Sequence, residues 1–299
     1  MLYRVTHITT YDYTEPVSLC QNLAHLAPRM ASGQTCLETS LQITPQPAVL
    51  VRQMDYFGNP ATFFAVQESH RRLTLKAEHT IDVHTTPPVD PVQTLPWDEV
   101  RDELRFDRSA EGLGAAEFLY NSRYIEARPE FLDYARPSFP AGRPILEAAI
   151  DLTSRIHADF DYDPQSTTVA TAITDVYSQR SGVCQDFAHF QIACLRALGL
   201  AARYVSGYLS TEPAKGAQPV VGADATHAWL SVYCPGTGWV DLDPTNDVVP
   251  GDGHILLAWG RDYDDVSPVK GVVLGGGQHS VHVGVHVDRL PEHEPAGAA

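Results

Sequence analysis

Residues 72–84 alternate between apolar and polar positions more cleanly than any other stretch of the chain. Leu73, Leu75, Ala77, Ile81 and Val83 fall on one face, and Arg72, Thr74, Lys76, Glu78, Thr80 and Asp82 on the other. A period of two with one dry face and one wet face predicts a strand of an antiparallel sheet. Residues 2–13 are rich in β-branched and aromatic side chains, 37–43 alternate in part, and 61–66 form a short apolar run. Pro16 and Pro28 interrupt the pattern, and turn residues close 55–60. Several strands separated by turns predict a β-sandwich over residues 1–90.

The pattern then changes. Prolines through residues 85–96 predict an extended, stiff connection. Residues 97–139 read as short helices, with breaks near Gly112-Leu113-Gly114 and at Pro129, Pro137 and Pro140. A firmer helix begins at Pro144, where Ile145, Ala148, Ala149, Leu152 and Ile156 recur at helical spacing, and ends near His157. Residues 174–179 predict one more short helix with Thr174 as N-cap. Residues 184–198 are apolar on nearly all sides, the mark of a buried helix, and Gly199 stops it. Strands are predicted at 202–209, 227–233 and 239–243, with a small-residue loop at 211–225 able to border a cleft. A final strand at 280–287 sets Val281, Val283, Val285 and Val287 against His282, Gly284 and His286, and the tail beyond Leu290 reads as disordered. Strands first and helices later make the class α+β. The domains read as 1–90, a proline-rich linker with short helices at 91–143, a second domain at 144–290, and a tail at 291–299.

At 299 residues, with 43% hydrophobic content, the chain has ample surface to bury. The net charge of −16 argues against a nucleic-acid backbone or an anionic membrane as partner. Five cysteines, Cys20, Cys36, Cys184, Cys194 and Cys234, are odd in number and lack CxxC spacing. Reduced thiols in a cytoplasmic, soluble protein fit this better than a disulfide framework. The N-terminus carries no apolar leader, and no run of 18 apolar residues occurs.

Cys184 opens the buried helix. There it meets unsatisfied backbone N–H groups and the positive end of the macrodipole, which favour the nucleophilic thiolate. A lone cysteine is more often buried and inert; the downstream hairpin changes that weighing. If Tyr233 pairs with Trp239, Ser231 faces Asp241 and Trp229 faces Asp243. Asp243 is then a diagonal neighbour of His227, about 7 Å away between backbones. Asp241 is about 13 Å off along the strand and out of reach. Cys184, His227 and Asp243 supply a nucleophile, a general base and an orienting acid. Other candidates carry less. A zinc site on Cys184 and His227 has no CxxC or HxxxH support. The run Asp262-Tyr263-Asp264-Asp265 lacks the glycine and terminal glutamate of a calcium loop. His282 and His286 read as a wet strand face, His7, His25, His70, His79 and His84 as structural, and His189 as a packing or hydrogen-bonding residue. Gly275-Gly276-Gly277 is a turn, not a phosphate loop. No metal or cofactor is expected.

Three blocks, Gly182-Val183-Cys184-Gln185-Asp186-Phe187-Ala188-His189, His227-Ala228-Trp229, and Trp239-Val240 with Asp243-Pro244-Thr245-Asn246, resemble the transglutaminase-like superfamily. The likeness is to its bacterial members, a group described as candidate cysteine proteases. It extends to Tyr3-Arg4-Val5 with His7, to Tyr56-Phe57-Gly58-Asn59, and to Gly260-Arg261-Asp262-Tyr263. It implies a transglutaminase-like, papain-like catalytic domain after the β domain: a Cys-bearing helix packed on a sheet that bears His and Asp. The family's catalytic residues fall on Cys184, His227 and Asp243. The backbone N–H of Cys184 is expected at the oxyanion, with Gln185 and Trp229 beside the substrate.

Three functions fit. An amide substrate acylates Cys184 and water releases it, as in a peptidase or amidase acting on peptides or proteins. An amine in place of water gives a protein-glutamine transglutaminase from the same thioester. A non-catalytic binding module has no need of a matched Cys, His and Asp. The first is favoured.

Overall fold

The computed structural model describes residues 1–84, 87–210 and 226–291. Five strands come first: β1 (Leu2–Ala24), β2 (Gln34–Thr44), β3 (Val49–Met54), β4 (Pro60–Val66) and β5 (His70–Val83). Helices α1 (Trp97–Phe106), α2 (Ala110–Ala116), α3 (Pro129–Ala135) and α4 (Ile145–Asp159) follow. Then come β6 (Asp161–Tyr162), α5 (Ile173–Gln179), β7 (Ser181–Gly182), α6 (Cys184–Ala197), β8 (Ala202–Leu209), β9 (His227–Cys234), β10 (Gly238–Leu242) and β11 (His254–Gly260). The chain closes with α7 (Tyr263–Val266), β12 (Val269–Gly275) and β13 (His279–Leu290). The class is α+β, as the pattern predicts.

β1 organises the first sheet. Its residues 2–13 pair with β13, and 2–12 also pair with β5; residues 17–24 pair with β12, and 20–24 also with β4. The register shifts between Asp12 and Val17. Pro16, expected to interrupt the strand, sits in this irregularity. A residue without an N–H costs no ladder bond there, and its carbonyl accepts from Gly276 N at 3.1 Å. The two halves of β1 thus serve two layers of one folded-over antiparallel sheet. Val17, Cys20 and Ala24 from one layer pack with Leu73, Leu75, Ala77 and Ile43 from the other.

β12 and β13 correct the expected domain boundary. They belong to the first sheet, so the second domain ends near residue 268 and not at 290. Alternation fixes which face of a strand is dry but not which sheet receives it. The break expected at Gly112–Gly114 is likewise absent: both glycines lie inside or beside α2, which Ser109 caps through Gly112 N. The expected Thr174 N-cap falls one residue inside α5, whose cap is Ala172. Residues 85–86, the loop at 211–225 and the tail from 292 lie outside the described residues.

The second sheet is antiparallel in the order β10-β9-β8-β11. Its hairpin register is the expected one, Tyr233 against Trp239 and Ser231 against Asp241. Helix α6 packs against β8 and β9, and Phe187, Phe190, Leu195, Leu230 and Val232 share one core with α4. Further along the same dry face, the first sheet joins that core through Tyr3, Val5, Ile81, Val83, Val285 and Val287. Each fully buried side chain of this kind contributes roughly 1.5–3 kcal/mol. Among the described residues no helix is long and apolar enough to cross a membrane.

Candidate active site

Cys184 occupies the first position of α6 and is half-buried. The preceding turn is held by Asp186, whose Oδ2 accepts from Val183 N at 2.9 Å and from Thr167 Oγ1 at 2.6 Å. Burial pushes the Asp186 carboxyl up, against the pull of those two donors. A side chain at residue 182 would meet Asp186 Cβ and Oδ2 at 2.8 Å, which is why glycine stands before the cysteine turn. The N–H groups of the first helical turn have no intrahelical acceptor, so those of Cys184 and Gln185 are suited to hold a developing oxyanion.

His227 opens β9 with its ring buried. Its Nε2 donates to Asp243 Oδ2 at 2.7 Å. Its buried Nδ1 makes no full hydrogen bond among the described residues, and the Cys184 side chain acts on that ring. Burial works against a charged imidazole here. The Asp243 charge, the hydrogen bond to it, and Cys184 outweigh that cost and hold the ring's pKa up at about 10. Burial also opposes the Asp243 charge, but His227 and then His254 draw its carboxyl well below the ordinary range.

Asp243 is saturated with donors. Oδ1 accepts from Thr245 N at 2.9 Å and Asn246 N at 3.3 Å, an Asx-type turn after Pro244. Oδ2 accepts from His227, from Asn246 Nδ2 at 2.8 Å, and from His254 Nε2 at 3.1 Å. Asp241 is turned elsewhere: it accepts from Trp229 Nε1 at 3.0 Å and, at short range, from Ser231 Oγ. The structure therefore brings Cys184, His227 and Asp243 together and leaves Asp241 apart.

Trp229 departs from the expectation of a substrate-facing residue. It is 1% exposed and stacks near-parallel on His227 at 6.0 Å, so it backs the imidazole. Gln185 is half-buried, and its Nε2 reaches Val169 O at 3.4 Å in the stretch laid beside the helix start. His189 is buried and neutral, its pKa lowered by burial and then by Arg196 to about 3; it accepts from Tyr263 N at 3.1 Å. The run at 262–265 is structural, with Asp262 capping α7 and accepting from Tyr124 N at 2.8 Å.

His254 is the residue that sequence reasoning missed. It lies eleven residues after Asp243, beyond a turn; the pairing of Asp243 with Val248 folds the chain back, and the β8–β11 ladder sets His254 opposite Leu209. His227, Asp243 and His254 have the donor types of a metal site, within 4.8 Å of one another. Both imidazole Nε2 atoms face one carboxylate oxygen at hydrogen-bond distance, an arrangement that calls for N–H donors and not for lone pairs. A cavity of about 320 Å³ lies in the first sheet, between Leu41, Met54, Ala61 and His79; none of its lining residues belongs to the Cys184 site.

The fold and site place the chain among transglutaminase-like proteins, and comparison with known proteins agrees. Residues 3–82 match the bacterial transglutaminase-like N-terminal region, and residues 134–244 the transglutaminase-like superfamily. The chain belongs to that superfamily. An uncharacterized protein of Mycobacterium tuberculosis is 41% identical over 97% of this chain and 92% of its own length. One of Mycobacterium leprae is 33% identical over 96% and 98%. The protein-glutamine gamma-glutamyltransferase of Pseudomonas aeruginosa is 33% identical over 36% of this chain and 19% of its own. The solved structure of "a Putative Cysteine Protease from Cytophaga hutchinsonii" shares the fold, with a TM-score of 0.77, 23% identity, and coverage of 99% of this chain and 92% of that one.

Proposed function

We propose that this protein is a cysteine-dependent acyl-transfer enzyme that hydrolyses amide bonds of peptides or proteins. One observation carries the reading: a buried imidazole bound through Nε2 to Asp243 at 2.7 Å, with its Nδ1 otherwise unpartnered among the described residues and the half-buried Cys184 side chain acting on the same ring. In the resting site His227 takes the thiol proton. The sulfur attacks the amide carbon, the C–S bond forms, and the carbonyl π pair moves to oxygen beside the Cys184 N–H. As that pair returns, the C–N bond breaks and His227 gives its proton to the departing amine. Water then attacks the thioester, loses a proton to His227, and releases the carboxylic acid with the sulfur restored.

The Pseudomonas relative supports a second reading, in which an amine takes the place of water on the same thioester. The two differ only in what reaches that intermediate. Incubation with a peptide library and a primary amine, read by mass, separates them. Gain of water marks hydrolysis and an amine adduct marks transamidation. Absence of both, with wild-type and Cys184→Ala proteins indistinguishable, rejects catalysis.

A further inference from the structure

β11 is an edge strand of the second sheet, yet its outer edge is not bare. Gln34 Nε2 donates to Leu256 O at 2.7 Å, and Leu256 N donates to Gln34 Oε1 at 2.8 Å. Asn59 repeats the pattern three residues on, donating to Trp259 O at 2.8 Å and accepting from Trp259 N at 3.0 Å. Between them Arg29 N donates to Leu257 O at 3.1 Å. Two side-chain amides and one backbone N–H from the first domain thus stand in for a missing fifth strand. Gln34 and Asn59 are both buried, so an unpaired amide there would be costly. Arg29 adds to the clamp: its guanidinium lies 3.5 Å from the Trp259 ring centre and its Nη1 donates to Asn59 Oδ1 at 2.9 Å.

The strand so held begins with His254, whose Nε2 meets Asp243 Oδ2 at 3.1 Å. The Trp229 ring stands edge-on to that imidazole at 5.2 Å, fixing its plane. We infer that His254 is a positioning residue for the Cys184–His227 pair, and that the first sheet sets its place by clamping β11 through Gln34 and Asn59. His254 and Asn246 fill the side of Oδ2 that His227 leaves free, so the carboxylate cannot turn without breaking several hydrogen bonds. The direction of the His227 ring, and hence of Nδ1 toward the sulfur, follows from that fixed oxygen. The inference rests on the reading that Cys184 and His227 act together, and it gives the first sheet a part in the site.

The test needs no substrate. The full-length protein is alkylated with chloroacetamide, the Cys184 rate is read by mass, and the ring N–H signals of ¹⁵N-labelled histidines are followed by NMR. His254→Ala is expected to slow alkylation of Cys184 roughly tenfold, below what a general base itself contributes, and to shift the His227 ring signal. His254→Gln, which returns an N–H donor, restores both. Gln34→Met removes the amide clamp at similar volume and shifts both readouts in the same direction as His254→Ala. An unchanged rate and an unchanged ring signal in folded His254→Ala and Gln34→Met overturn the inference. So does a His254→Gln protein as impaired as His254→Ala. These readouts stand whether or not any amide substrate is found, so failure here is distinct from failure of the proposed activity.

Discussion

Gly207 sits directly opposite His227 in the β8–β9 ladder, and the Trp229 indole fills the space that a side chain at 207 would take. A Cβ there would meet Ile255 O at 2.2 Å and Trp229 Cη2 at 2.4 Å. Neither can move cheaply, because one is strand backbone and the other backs the His227 ring. Gly207→Ala is expected to cost about 1–3 kcal/mol as an overpacked core site and to slow Cys184 alkylation as well. Thermal unfolding read beside alkylation checks both; an unshifted melting temperature would contradict the packing argument.

Asp243→Asn and Asp241→Asn should part company. The first replaces the acceptor of His227 and His254 and is expected to slow Cys184 alkylation by about 10²-fold, within the range of a general-base contribution. The second keeps one of the two oxygens that accept from Trp229 and Ser231 and turns the other into an NH2 donor. It removes the charge facing Arg203, which is buried beside Trp259 and Trp239. Its cost should appear as a lowered melting temperature, with the alkylation rate within roughly threefold of wild type. Kinetics in the reverse order would show that Asp241 serves the imidazole.

The His227–Asp243 pair has a defined pH window. The His227 pKa is raised from 6.5 to about 10, so its contribution to stability is complete below 6.5 and is lost as pH rises toward 10. The Asp243 pKa is lowered from 3.8, so its contribution is present above 3.8 and is lost as pH falls further. The stability gap between wild type and His227→Gln should therefore be widest from about pH 4 to 6.5 and narrow toward pH 10. Chemical denaturation across that range reads it; a gap that widens with alkali would reverse the assigned sign.

Alkylation should be selective. Cys194 and Cys234 are buried at 0% and 1% exposure, and burial drives both thiols up, Cys234 to about 12. Cys36 is only partly covered, yet burial raises its pKa too, against a hydrogen bond to Glu38 O. Peptide mapping after brief treatment with chloroacetamide at neutral pH should find the label on Cys184 first. Label appearing first on another cysteine would remove Cys184 as nucleophile.

Metal removal should leave the site working. Protons on His227 and His254 fill the space between their nitrogens and Asp243 Oδ2. EDTA treatment is expected to leave the Cys184 alkylation rate unchanged, and a rate restored by one added ion would show that the cluster is a metal centre.

What the sequence revealed and what it withheld divide along the range of the interactions. The α6 start, the β9–β10 register and the preference for Asp243 follow from local periodicity and one turn, so they are legible in 60 residues of chain. His254 is a lone histidine in an apolar strand, and nothing local distinguishes it from the structural histidines at 7 and 79. The Gln34 and Asn59 clamp joins residues about 200 positions apart, and polar side chains just after a turn announce no partner. The placement of β13 was hidden for the same reason, since its alternation suits any sheet with an open edge, and β12 carries no alternation to read. Trp229 misled because its motif neighbour is catalytic in type, while its own burial is set by Gly207 on another strand.

Since β1 pairs with β12 and β13, the segment from roughly 91 to 268 is topologically an insertion within the sheet domain. A nascent chain emerging from the ribosome holds β1 with one flank open until the final strands arrive. The lattice that clamps β11 is therefore completed last, after every residue of the Cys184 site has been made. Completion of the sheet that carries the clamp is tied to strands made after the reactive centre, and a chain broken off before residue 269 would carry the nucleophile beside a first sheet short of two strands.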